Sequence, residues 1–366
     1  MRRAGAGWRQ AAALALALAL VLPHAGPAAD AVAGGTAAPS AGIRFPVDTG
    51  SHPDHRTEWW YVTGWLQTAA GEQLGFQVTF FRTHPGIADS NPSAFAPRQL
   101  IIAHAALSDP ARGRLYQDQR VQRAAFGLAD AGEGATRVWV DRWNLQAEPG
   151  AYTTHVDGED FALALRMRQA QPPMLNGTAG LSRKGAASGA TSWYYSEPHL
   201  GVSGTITRRG HPDAVQGEAW LDHEWSDEYL EAGATGWDWI GINLADGGAL
   251  MAFRIRGADG GARWAGATLR AADGTQQVYG PQEVEFTPGR QWTSPRTAIH
   301  YPVQWQVRTG ARTFTLSPLL DDQESDTRLS SGTIYWEGAV RASEGSAAVG
   351  RGYLELTGYG ERLQLP

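Results

Sequence analysis

The stretch GEAWLDHEWSDEYL, Gly217 to Leu230, packs five acidic side chains, one histidine and two tryptophans together. Carboxylates beside tryptophan cost stability if buried without partners, so the stretch is either a site or a solvated edge. As an extended strand, WLDHEW puts Trp220, Asp222 and Glu224 on one face and Leu221, His223 and Trp225 on the other. A histidine between apolar neighbours on an inward face is a candidate acid/base group, or a core histidine with its hydrogen bonds satisfied. Upstream, SHPDHRTEWWY supplies His52, His55 and Glu58. Two histidines and a carboxylate can bind zinc, but the usual helical support for such spacing is missing before an aromatic strand. A polar loop entering that strand, with no metal, is the expectation.

Aromatic residues fall in three clusters: Trp59, Trp60, Tyr61 and Trp65; Trp193, Tyr194 and Tyr195; Trp225, Trp237 and Trp239. Consecutive aromatics on a strand point to both faces, so a barrel interior cannot hold them all. A barrel of about eight strands can enclose one small or elongated ligand, and Trp59, Tyr61, Tyr195, Trp237 and Trp239 are candidate walls for it. Asp238 stands on the opposite face from its two flanking tryptophans. The chain has no Gly-rich phosphate loop, G-x-S-x-G elbow or Walker pattern. Serine-type hydrolysis therefore lacks local support, and no cofactor is expected.

The elements that must position these residues are strands. WYVTGWL, LGFQVTFFR, TRVWVDRWNLQA, FALALRMR and GALMAFRIR are short runs rich in β-branched and aromatic residues, several alternating apolar with polar. Asp246-Gly247-Gly248, Asp259-Gly260-Gly261 and Asp273-Gly274 recur at hairpin spacing. The 45 glycines and 20 prolines are poor helix material, and the expectation is an all-β protein of sandwiches or barrels. WWYVTGWLQTAAGEQLGFQVTFFR (Trp59 to Arg82) can be laid over WDWIGINLADGGALMAFRIR (Trp237 to Arg256), which points to two similar β domains joined between Arg209 and Glu231.

At 366 residues the chain is long enough for two cores, and a net charge of -6 gives no general attraction to nucleic acid. Residues 1–31 combine an arginine-bearing start, an apolar Ala/Leu run and a small-residue segment, the parts of a secretory signal peptide cleaved between Ala25 and Ala31. A flexible tether, 32–43, follows. The chain has no cysteine, which excludes disulfides and thiolate chemistry. A periplasmic or secreted protein is expected.

Through EWWYVTG, WYYSEPHLGVSGTI, AWLDHEW, WDWIGINLADGGALMAF and GRGYLELTGY the chain resembles the secreted lipocalin-like family that includes carotenoid 1,2-hydratases and the Att-type proteins encoded beside transporter operons. The resemblance implies two lipocalin-like antiparallel β-barrel domains packed together, 44–228 and 229–366. It also implies an exported location, a hydrophobic ligand of the lipid or isoprenoid kind, and a membrane export permease as partner. In the hydratase branch the acting residues are an H-x-W pair, matched by His223 and Trp225, and a Y-x-D pair that this chain lacks. Hydration protonates carbon to a tertiary cation, which Trp225 would stabilise, while Asp222 or Asp238 would have to replace the missing acid. Two expectations result: an exported carrier of an elongated hydrophobic molecule, and, as the alternative, a hydro-lyase of the carotenoid 1,2-hydratase type.

Overall fold

The structure is a computed structural model that describes residues 42–86, 90–93, 95–187, 189–228 and 230–362; the expected signal peptide and nearly all of the expected tether lie outside them. Among the described residues the only helical element is a 3-10 turn, Val47–Thr49, and everything else regular is antiparallel strand. The hairpin signals work as their chemistry predicts. Gly247, Gly260 and Gly274 take positive φ of 92°, 75° and 88°. Asp246, Asp259 and Asp273 each accept a hydrogen bond from the amide two residues on, at 2.9, 3.0 and 2.9 Å.

The strands form two large sheets. The first runs in spatial order from Arg114–Arg123 through Leu100–Asp109, Gln73–Thr83 and Thr57–Thr68 to the long hairpin His211–Ser226 and Thr191–Arg208. It returns through Phe161–Arg168, Ala151–Asp157 and Trp143–Glu148 to Arg137–Val140 and Ala129–Ala131, which lie beside Arg114–Arg123 and nearly close a barrel. The second sheet is centred on Ala234–Leu244, flanked by Ala249–Gly257 and by Ala347–Leu356, which leads on to Ile334–Glu344. The two hairpins that look alike in sequence hold equivalent places, Thr57–Thr68 and Ala234–Leu244 each sitting between its hairpin mate and a later strand.

Three apolar cores result. Trp60, Phe76, Trp143 and Trp225 fill the inside of the first sheet, and Trp305, Phe314 and Trp336 the inside of the second. Tyr61, Trp65, Trp220, Trp239, Phe253 and Tyr353 pack between the outer faces of the two sheets. Strands such as Thr57–Thr68 are therefore buried on both faces, which is why their sequences are nearly continuous in apolar residues. Trp65 Nε1 donates to the Gly352 carbonyl across the junction at 3.0 Å. At Gly75 a Cβ would stand 2.7 Å from both the Ala339 Cβ and the Tyr353 hydroxyl, so the sheets approach there at glycine distance.

Candidate active site

An aromatic-lined cavity lies between the sheets, not inside either one, with about 930 Å³ of atom-free space that includes its open side. The barrel interiors expected to enclose a ligand are instead filled by side chains. Strand alternation in His211–Ser226 decides what faces the cavity: Asp222 and Glu224 line it, while Leu221 and Trp225 belong to the first sheet's own core.

Asp222 is buried and meets three donors. Tyr194 Oη donates to Oδ2 at 2.5 Å, while Ser196 Oγ and Trp220 Nε1 donate to Oδ1 at 2.5 and 2.7 Å. Trp239 Nε1 in turn donates to Tyr194 Oη at 2.9 Å, which fixes the phenol's direction. Burial pushes the Asp222 carboxyl up to about 7 against the pull of these bonds, and the neighbouring Glu224 adds to the rise. Across the cavity Glu337 and Glu355 stand directly opposite each other on paired strands. Burial, and then their mutual repulsion, raises Glu337 well above the carboxylate range; Glu355 is pushed up to about 8 by burial, with Asp222 and Glu224 contributing. Tyr61 Oη and Glu337 Oε1 interact electrostatically but make no well-formed hydrogen bond.

Trp59, Tyr61, Trp237 and Trp239 supply aromatic walls, and equivalent positions on the two hairpins contribute Trp59 with Trp237 and Tyr61 with Trp239. His104 pins one rim, its Nδ1 2.9 Å from Tyr335 Oη and its Nε2 2.9 Å from Ser330 Oγ. Burial pushes His104 down to about 3, so it is a neutral bridge between the sheets. Carboxyl groups held neutral in an aromatic cavity can deliver a proton to a bound apolar molecule.

His223, Trp225 and Tyr195 do not reach this cavity. His223 Nε2 lies 2.8 Å from Glu58 Oε1 and its Nδ1 3.2 Å from Tyr195 Oη, with Trp60 stacked at 4.7 Å, all inside the first barrel. Trp225 stacks on His52 at 3.7 Å, where it cannot stabilise a cation formed between the sheets. Asp238 also faces away: Arg254 Nε donates to Oδ2 at 2.5 Å and Arg256 Nε to Oδ1 at 3.2 Å, in the second sheet's interior. Asp238 is thus committed to two guanidinium groups away from the cavity.

The His52, His55 and Glu58 motif resolves differently from a polar loop. His52, Glu58 and His223 bring donor atoms within 4.8 Å of one another, while His55 turns to Asp227. The cluster is complete without an ion: Glu58 Oε1 takes both histidines at 2.8 Å, and Oε2 takes Arg82 Nε at 2.8 Å and Ser51 Oγ at 3.0 Å. Burial favours a neutral Glu58, but the histidine hydrogen bonds and the Arg82 charge outweigh it and hold the carboxyl well below its usual range. Burial lowers His223, which stays neutral.

Glu337, Glu355 and His104 carry no mark in the sequence analysis, and Tyr194 enters it only as a member of an aromatic cluster. Glu355 sits in GRGYLELTGY, Leu-Glu-Leu, whose alternation marks a strand with a lone carboxyl on one face.

Two antiparallel sheets joined face to face over an acid-bearing aromatic cavity define a double lipocalin-like β protein. The chain belongs to the AttH-like family, whose model matches residues 36–359. It is 52% identical to an AttH-type protein from Nitrosomonas europaea, with a TM-score of 0.84 over 89% of this chain and 99% of that one. Kievitone hydratase from Nectria haematococca shares the fold at 18% identity and a TM-score of 0.66, over 87% of this chain and 94% of the hydratase. CghA solved with Sch210972 shares it at 13% identity and a TM-score of 0.53, over 83% and 89%. No curated protein matches the chain.

Proposed function

We propose that the inter-sheet cavity binds an elongated hydrophobic molecule, a lipid or an isoprenoid, and that Asp222 protonates its double bond so that water adds. The observation that carries this reading is a wholly buried carboxyl, held at about 7, at the wall of an aromatic cavity. Protonating carbon demands an acid kept neutral in apolar surroundings. Trp59, Trp237 and Trp239 line the cavity, and a ring face turned to a cation there would offer cation–π stabilisation of roughly 0.5–2 kcal/mol. That one structural neighbour is by name a hydratase supports the reading without identifying a substrate. Export, from the leader-like residues 1–31, and a membrane permease as partner belong to the same proposal.

A carrier that never alters its ligand is the second reading. The absence of a Tyr-x-Asp pair in Ala249–Gly257 favours it. Both are tested by extracting the exported protein from a host that makes acyclic carotenoids and weighing the bound molecules by mass spectrometry. Carotenoid heavier by one water, lost with Asp222→Asn, supports the hydro-lyase; unaltered bound lipid in both supports the carrier; no bound lipid removes this ligand class.

A further inference from the structure

Of the 31 lysine and arginine residues in the chain thirty are arginine, and the single lysine, Lys184, is buried. It follows the short strand Leu181–Arg183, and its Nζ lies 2.7 Å from Glu224 Oε1. The ammonium is enclosed by ring faces, 4.2 Å from the centre of Phe253 and 4.7 Å from that of Tyr194. Ser192 Oγ donates to the same Glu224 oxygen. Glu224, unlike Lys184, lines the cavity, two residues along one strand face from Asp222. That spacing puts the two carboxyls about 7 Å apart along the strand, which leaves room for a water between them.

The choice of lysine is informative. Arginine would bring a planar fork of five donors that this enclosure does not match, whereas ammonium is a compact charge that can also give up its proton. Among the described residues, the titratable groups facing Glu224 are Lys184, Tyr194 from the adjacent strand, Asp222 on its own strand and Glu355 from the second sheet. Only Lys184 among these is a cation. Burial raises Glu224 and lowers Lys184, and each opposes the other's shift through their contact.

We propose that Glu224, kept ionised by Lys184, is the base of the cavity and takes the proton from the water that adds after Asp222 has acted. This rests on the hydro-lyase reading. In the step, the π pair of the double bond takes the Asp222 proton, forming a C–H bond and leaving the other carbon cationic. A water lone pair forms the C–O bond, and the surplus proton goes to Glu224. The substrate has gained one water, Asp222 is ionised and Glu224 protonated, and a return of the proton resets both. Glu224 is then catalytic and Lys184 a positioning residue.

The test uses the full chain. Difference infrared spectra of wild type against Glu224→Gln at about pH 7 read the ionisation of Glu224 without any substrate. A carboxylate is expected in wild type and a carboxylic acid in the Lys184→Met background; a carboxylic acid already in wild type, or a carboxylate that survives Lys184→Met, overturns the proposal. With lycopene in detergent micelles as the probe and water incorporation as the readout, Glu224→Gln is expected to cut turnover by about 10² to 10⁴ with the carotenoid still bound. Lys184→Met is expected to move the acid limb of the pH–rate profile up by about one unit or more, with Lys184→Arg moving it back toward wild type. A uniform fall in rate with no shifted limb would reduce Lys184 to a structural role and overturn the proposal. If Lys184→Met does not fold, the wild-type spectrum decides. Full turnover in Asp222→Asn would instead remove Asp222 as the acid, and no turnover in wild type would remove the hydro-lyase reading, whatever Glu224 shows.

Discussion

Asp222 receives hydrogen bonds from Tyr194, Ser196 and Trp220, and burial still holds it at about 7. Its folded value lies above its unfolded one, so its protonated form is favoured by folding: stability is full below about 4 and is lost as pH rises through about 7. For a fully buried carboxyl moved from 3.8 to about 7 the loss is on the order of 4 kcal/mol. Asp222→Asn, which mimics the neutral form, is expected to unfold at a higher denaturant concentration than wild type at about pH 8 and to show less than half that advantage at about pH 5. Equilibrium urea unfolding at both pH values checks it; equal effects at both would show that Asp222 does not titrate in this range. Glu58 behaves in the opposite way. Glu58→Gln leaves Arg82 buried beside a neutral partner and is expected to cost about 3–5 kcal/mol. Enough folded protein for a binding assay should still load ligand, because Glu58 belongs to the first barrel and not to the cavity.

At the scale of strands, the alternation in WLDHEW, which is readable in the sequence, sorts Asp222 and Glu224 from His223 and Trp225. Which of the two faces carries the cavity is not readable. Polar-out alternation normally marks the solvent side, but here both faces are buried, so the cue that separates inside from outside is missing. Arg82 joins His52 and Glu58 for the same kind of reason: it comes from the neighbouring strand, 24 residues from Glu58 and 30 from His52, a contact that no local spacing encodes. The aromatic walls were more legible because Trp59, Tyr61, Trp237 and Trp239 fall on repeated hairpins. The approach at Gly75 gives an element-scale prediction. Gly75→Val forces the sheets apart at Ala339 and Tyr353, and is expected to cost about 1–3 kcal/mol and to weaken loading of a carotenoid in the extraction assay. Unchanged stability and loading would mean that the junction yields without consequence.

Over the whole molecule the buried groups set opposing pH limits. His104 and His223 are lowered by burial, so the unfolded chain takes up their protons first, and stability is lost as pH falls below about 6.5. Asp222 and Glu355 erode stability as pH rises from about 4 to about 7 and about 8, so above about 6.5 they act without the histidines' opposing gain. The melting temperature is therefore expected to fall between about pH 6.5 and 8, and the double variant Asp222→Asn/Glu355→Gln to flatten that fall. A calorimetric scan series across pH checks this, and an unchanged alkaline slope would remove the two acids as its cause.

A chain with one lysine, enclosed by Phe253, Tyr194 and Glu224, offers a lysine-specific protease a single scissile bond, and only when the junction between the sheets has come apart. Such a protease leaves the native molecule whole and cuts each opened molecule once, after Lys184. The rate at which two fragments accumulate then counts openings of the cavity wall, and a ligand that seals the cavity slows the count in proportion to its occupancy.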